Sequence, residues 1–362
     1  MDRIVATNAH LVQENTTILF QDSDCYLIEP ENDCDFSSGC NNEYCKRGCH
    51  TSDIDLNTRP KAPLCKTRIM TTKNVQGYCN ERFEMYRIVN SCNGLLCMDG
   101  PYLNDPVVVC KPIMGEFMCL SNPDNKYSTV RTFGVCGLGF SPKNSQYKVI
   151  RTFKIWDPIS RCDLVEADIY TLGIGSWKSV GSVPFSAFNL EFPTYLNGSL
   201  HWLFVKGYES TCIISFDWNK EQFDFHDAPT CRKNLSMGVL GGSLYVCESK
   251  TSDDVHIGIW VMEKYGDWDS WTKLFTIKYG YCKGPRYGFF LPISYLSNGT
   301  LLLIHYPSDE LIIYYHQTGS NVVNFKRFKV CFPEFKLQAI VHNPSFISLK
   351  DILMGATTNL RC

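Results

Sequence analysis

A chain of 362 residues with 44% hydrophobic and 20% charged side chains can fill a globular core without help from metals or disulfides. Its formal net charge of −2, with no run of Lys or Arg, argues against a general phosphate-binding surface, so no nucleic-acid partner is expected. No apolar stretch approaches the ~20 residues of a membrane span, and Met1 to Asn8 lack the charged-then-apolar order of a secretory signal, so we expect no membrane partner and an intracellular location, in cytoplasm, nucleus or both.

In chain order, residues 1–30 carry two apolar stretches, Thr17 to Phe20 and Cys25 to Ile28, with polar Gln21 to Asp24 between them as a hairpin loop. These are the first strands. Residues 31–85 differ. They hold Cys34, Cys40, Cys45, Cys49, His50, Cys65 and Cys79 among Asn, Asp, Ser, Lys and Arg, with weak apolar periodicity, and read as a Cys-rich surface loop insert. From Arg87 strand signals are dense, and a β domain is expected over 86–350, with a tail at 351–362. Nowhere do apolar residues persist at i, i+3, i+4 through three helical turns, so helix is expected only as short turns.

Within the β domain one device recurs. Asn93-Gly94, Asn197-Gly198, Gly241-Gly242 and Asn298-Gly299 each join two apolar or aromatic runs. Both turn residues tolerate the positive φ of a type I′ hairpin. The spacings are 104, 44 and 57 residues between Gly94, Gly198, Gly242 and Gly299, near one or two steps of the ~40–50 residues in a four-stranded propeller blade. A second device follows: an apolar run, a polar turn, then an aromatic, as from Ile213 to Phe223, Ile259 to Trp271 and Leu311 to Phe325. A member without its own Asn-Gly runs from Ile169 to Trp177. Each pair of devices supplies about four strands. The pattern predicts an all-β, β-propeller-like (kelch-like) repeat of about five to seven four-stranded blades, closed by Ile340 to Ile352 against the first strands.

The chain has 19 cysteines. Inside a reducing compartment most are expected as thiols, and Cys97, Cys110, Cys212 and Cys247, within apolar runs, as small core residues. Four Asn-x-Ser/Thr sites start at Asn15, Asn197, Asn234 and Asn298 and are read as unglycosylated. The cluster Cys34, Cys40, Cys45, Cys49 and His50 offers zinc-type ligands, but its spacings are looser than the usual tight pairs, which favours loop cysteines; no metal and no cofactor are assigned.

Signatures of catalysis are missing. Gly241-Gly242-Ser243-Leu244-Tyr245 fails a nucleophile elbow, and Gly137-Leu138-Gly139-Phe140-Ser141-Pro142 fails a dinucleotide loop. No catalytic residue is assigned and no enzyme is expected. A glycan-binding or glycoside-cleaving propeller is the rival reading; it needs paired carboxylates at one axial mouth, for which Asp157, Glu191, Asp217, Asp254 and Glu310 stand near strand ends. Trp177, Trp202, Trp260 and Trp271 are expected to pack between blades. Trp218, beside a polar turn, and Trp268, between two Asp, are expected at the surface.

The motifs together resemble the F-box-associated domain of plant F-box proteins. The most specific match runs from Ile259-Trp260-Val261-Met262 through Tyr265-Gly266 to Ser270-Trp271-Thr272-Lys273. Ser91 to Leu96, Tyr147-Lys148-Val149, Tyr170 to Leu172 with Ser176-Trp177, Leu196 to Trp202 and Ile214 to Asp217 follow the family order from about residue 8 to about residue 350. Lys111-Pro112 departs from the family's Asn-Pro. The resemblance implies the substrate-recognition module of an SCF-type ubiquitin ligase, which captures a target protein and performs no chemistry itself. No F-box start is visible before residue 10, so the Skp adaptor and cullin are expected as partners only if an F-box is supplied; otherwise the chain acts as a decoy receptor.

Overall fold

The computed structural model describes residues 17–21, 24–30, 51–54, 64–71, 86–100, 105–120, 130–157, 159–183, 190–206, 210–230, 234–251, 255–279, 289–295, 301–306, 310–316, 323–330, 338–343 and 345–354. Among the described residues, strands form six sheets, each the blade of a propeller and antiparallel within its first four strands. Blade 1 combines β1 (Thr17–Gln21), β2 (Asp24–Pro30) and β4 (Leu64–Thr71) with β25 (Gln338–His342). Blade 2 is β5 (Arg87–Cys92), β6 (Leu95–Asp99), β7 (Val107–Lys111) and β8 (Glu116–Leu120). Blade 3 is β9 (Val130–Ser141), β10 (Gln146–Asp157), β11 (Cys162–Thr171) and β12 (Ser176–Ser182). Blade 4 is β13 (Leu190–Leu196), β14 (Ser199–Lys206), β15 (Ser210–Asp217) and β16 (Gln222–Asp227). Blade 5 is β17 (Leu235–Leu240), β18 (Ser243–Thr251), β19 (Val255–Met262) and β20 (Trp271–Tyr279). Blade 6 is β21 (Phe289–Tyr295), β22 (Leu301–Tyr306), β23 (Glu310–His316) and β24 (Val323–Val330), with β3 (Thr51–Ile54) added in parallel at its outer edge.

The inner strands β25, β5, β9, β13, β17 and β21 contact one another in that order and close a ring. Closure is a strand exchange between the two ends of the chain: β25 pairs antiparallel with β1 from Thr17↔His342 to Gln21↔Gln338. The expected closing segment therefore divides. Residues 338–342 close the ring, and the chain then leaves the sheet for the helix α1 (Leu349–Leu353).

Alternation along each strand builds the core between blades. In β7, Val107 and Val109 join the cluster facing blade 3, while Val108 and Cys110 join the cluster with Ile340 of blade 1. In β18, Leu244 and Val246 face blade 4, while Tyr245 and Cys247 face blade 6. Both faces of a blade are buried, so its middle strands read as continuous apolar runs. Each fully buried Val, Leu or Phe stabilises by roughly 1.5–3 kcal/mol.

The repeated turns form as the sequence predicts. Asn93-Gly94, Asn197-Gly198 and Gly241-Gly242 all have positive φ, and Asn298-Gly299 lies outside the described residues. Blade 3, which lacks an Asn-Gly, makes the corresponding connection by a longer, four-residue turn at 142–145 between β9 and β10, with Ser145 at φ 51°. The turn at Pro112 is intact despite Lys111, with Gly115 N donating to Pro112 O at 3.4 Å.

Three expectations are corrected. The insert at 31–85 contains β3 and β4, because an outer strand needs only one partner and tolerates the polar run Lys66-Thr67-Arg68. Trp218 is fully buried, not exposed. A Cβ on Gly139 would sit 1.9 Å from its indole Nε1, so the missing side chain opens the slot that the ring fills. Trp268 is half-buried, stacked on His226 with ring centroids 3.5 Å apart and planes 8° from parallel. Trp202 is fully buried, and Trp177, Trp260 and Trp271 are half-buried against interblade clusters, as packing residues should be. Cys92, Cys97, Cys110, Cys136, Cys162, Cys212 and Cys247 are thiols, and Cys119 is disulfide-bonded.

A candidate protein-interaction face

Strand polarity gives the ring two unlike faces. Among the described residues, the turns at 93–94, 142–145, 197–198 and 241–242, after inner strands, and at 112–115, 172–175, 218–221 and 263–270, after third strands, emerge together on what we term the hairpin face. Second strands end, and third strands begin, on the opposite face, which we term the connector face. Tight turns dominate the hairpin face, and the chain after β25 is laid across it.

Two glycines receive that segment. Gly94, at φ 81°, would place a Cβ 2.5 Å from Ser345 Cβ and 3.2 Å from Asn343 O. Gly173, at φ 88°, would place one 2.9 Å from Leu353 O. Both positions need glycine twice over, for the positive φ and for the close approach. The helix α1 is fixed by a cap that reaches across the chain. Ser348 is its N-cap, and the Ser348 hydroxyl accepts from Lys350 N at 3.1 Å. The same hydroxyl donates to Glu116 Oε1 at 2.7 Å, while Leu349 N donates to Glu116 Oε2 at 2.5 Å. One carboxylate thus satisfies an otherwise orphan helical N–H and places negative charge at the helix start. Leu349 then enters the cluster between blades 2 and 3, with Ile352 and Leu353 packed against it.

Around this helix the surface carries exposed apolar side chains beside the charged Lys350 and Asp351. Of eight exposed large hydrophobic residues among the described residues, five lie on the hairpin face: Met114, Ile174, Tyr265, Phe346 and Met354. Met114 and Ile174 sit in the turns that flank α1, and Ile174 and Phe346 are 63% and 79% exposed. An open groove of about 640 Å³ runs between α1 and β8, lined by Gly115, Glu116, Phe117, Cys119, Leu349 and Leu353 among others. Exposed apolar side chains gathered at one place mark a binding surface more often than chance surface variation.

Across the face, polar groups hold the turns rigid. Tyr195 donates to Phe140 O at 3.1 Å. The Tyr265 hydroxyl stands 3.2 Å from both Leu196 O and His201 Nε2, and His201 Nδ1 is 3.2 Å from Thr194 O. Burial, opposed by the bond to Thr194, pushes His201 down to about 4, so its ring is neutral near pH 7. Glu221 bridges blades, 2.7 Å from Lys148 Nζ and 2.7 Å from Lys178 Nζ.

Residues 50–347 match the F-box associated beta propeller domain. The chain belongs to that family. Three Arabidopsis thaliana relatives are each 26% identical to it. F-box/kelch-repeat protein At3g23880 matches over 62% of this chain and 60% of its own length, F-box protein At3g07870 over 70% and 68%, and F-box protein CPR1 over 59% and 56%. The chain therefore spans about three fifths of the length of these relatives. Among solved structures, the Dos1 propeller aligns with a TM-score of 0.40 and 11% identity, over 67% of this chain and 59% of that one.

The described carboxylates of the glycosidase reading are divided between the two faces, with Glu310, at the start of β23, on the connector side. Asp157, at the end of β10, and Glu191, at the start of β13, lie on the connector face, whereas Asp217 ends β15 on the hairpin face. Asp157 is engaged in its own turn, accepting from Ile159 N at 3.0 Å, Ser160 N at 3.1 Å and Ser160 Oγ at 2.5 Å. Those bonds, the serine hydroxyl foremost, hold it below the usual carboxylate range. Asp217 accepts from Asn219 N at 2.8 Å and Lys220 N at 3.0 Å. Asp254 lies outside the described residues, as does the Cys34 to His50 cluster. Among the described residues no group of His, Cys, Asp and Glu is arranged to hold a metal ion. Sequence reasoning missed Glu116, Ser348 and α1. The signal was available only as Ser348 followed by Leu349, Ile352 and Leu353, five helical residues that carry no periodicity of their own.

Proposed function

We propose that this chain is the target-capturing module of an SCF-type ubiquitin ligase, and that it holds its target on the hairpin face around α1. The observation that carries this reading is the gathering of Met114, Ile174, Phe346 and Met354 about a helix clamped by Glu116, within a family named for its association with the F-box. A rigid ring presenting an apolar patch suits capture of a protein surface. In this role the chain performs no chemistry. It raises the concentration of the target near a ubiquitin-carrying enzyme, with the Skp adaptor and cullin recruited through an F-box. The compartment in this reading is cytoplasm, nucleus or both.

The test is affinity purification from plant cells of the tagged chain and of a version carrying an added F-box. The reading expects one protein shared by both, with adaptor and cullin joining it in the F-box version, and it expects Ile174→Asp with Met354→Asp to lose the shared protein. Retention of that protein by the double variant places capture elsewhere.

A further inference from the structure

We propose that the outer edge of β16 accepts an added strand from a partner, an extended segment that alternates apolar with basic residues. This surface is separate from the α1 patch, and the inference concerns binding alone, independent of any ligase.

Blade 6 already does what is proposed. There β3 pairs in parallel with β24, from Arg327↔Thr51 to Val330↔Ile54, as a fifth strand beyond the usual four. Among the described residues β4, β8, β12, β16 and β20 end their sheets. Irregular pairing blunts three of them: register shifts occur at Cys25/Tyr26 beside β4, Ala167/Asp168 beside β12 and Ile259/Trp260 beside β20. Such bulges protect an edge from strand addition. Beside β8 lies α1, held by Glu116. β16 pairs with β15 without a shift, from Cys212↔Asp227 to Asp217↔Gln222. Among the described residues its outer edge is regular and carries no further strand.

The register also says what this edge would select. Phe223 and Phe225 lie opposite Phe216 and Ile214, on the blade 3 side, and Phe225 is 47% exposed. Asp224 and His226 lie on the blade 5 side, where His226 stacks on Trp268 and Asp267 and Asp269 flank that indole in sequence. Asp224, Asp267 and Asp269 are all exposed. A strand added here sets every second side chain beside Phe225 and the others beside Asp224 and Trp268. The first set favours an apolar residue. The second favours Lys or Arg, through an opposite-charge cross-strand pair and an aromatic face. Backbone hydrogen bonds would supply affinity and these alternate positions specificity.

The experiment measures fluorescence anisotropy of three labelled nine-residue peptides on the full chain: alternating Val and Lys, alternating Val and Glu, and the Val–Lys peptide with alternate amides N-methylated. The Val–Lys peptide should bind, while the Glu and N-methylated peptides should not. Asp224→Lys should weaken the Val–Lys peptide about fivefold and bring the Val–Glu peptide into binding, a crossover that misfolding cannot produce. Binding of the N-methylated peptide as tight as that of the parent overturns the proposal. So does an absence of Val–Lys binding, an affinity unchanged by Asp224→Lys, or a concentration-dependent dimer abolished by Asp224→Lys, which would assign the edge to a second copy of the chain.

Discussion

Glu116 and Ser348 are separated by 232 residues and joined by a hydrogen bond of 2.7 Å. Through it, the turn region of blade 2 fixes the segment that follows ring closure. Glu116→Ala removes the partner of both Ser348 and the Leu349 amide. We expect a loss of about 1–2 kcal/mol, the range for a helix cap, read from urea unfolding. Amide exchange should accelerate across 349–354 while the buried amides of β14 stay protected.

Gly139 is required by the Trp218 ring rather than by its own backbone. Gly139→Ala drives a Cβ into the indole and should cost on the order of 3 kcal/mol, as overpacking of a tight core does. Gly242 meets nothing within 4 Å but has φ 79°, so Gly242→Ala should cost only about 1 kcal/mol. Paired denaturation curves separate the two.

Stability should fall on acidification from near neutral pH. His201 and His342 are buried, and burial pushes each down from 6.5 to about 4, with Lys111 adding to the effect at His342. Between about pH 6.5 and 4 the unfolded chain binds protons that the folded chain refuses, so stability rises with pH across that window. Full titration is worth on the order of 3 kcal/mol per histidine. His201→Gln should flatten the dependence in proportion, as measured by unfolding at pH 4.5 and pH 7.

Lys111 is 1% exposed, and among the described residues its Nζ has no hydrogen-bond partner. Burial, opposed by nearby Glu116, pushes it down to about 8. An ammonium so placed costs stability. Lys111→Met should therefore raise the unfolding midpoint, with a gain of about 1–3 kcal/mol.

Much of this fold was legible because its repeat is written in turn residues. Asn197-Gly198 and Asn93-Gly94 announce hairpins that local sterics alone determine, and the runs beside them show both faces of a blade buried. Other features depend on contacts distant in sequence. Trp218 opens a polar turn and reads as exposed until Gly139, in another blade, is seen to make room for it. The strand β3 carries no apolar signal because it joins an edge, where backbone pairing suffices. The cap on α1 is invisible because Glu116 supplies it across 232 residues. The hairpin-face patch is likewise assembled from four separate loops, none apolar enough to stand out by itself.

The central claim is capture of a target on the hairpin face. Its most direct test is the ubiquitination of the protein co-purified with an F-box-bearing version of this chain, in an assay reconstituted with adaptor, cullin and ubiquitin-carrying enzyme. We expect the chain to support transfer to that protein and the Ile174→Asp, Met354→Asp variant to lose transfer while unfolding at the same temperature. Equal transfer by a stably folded double variant would contradict the account.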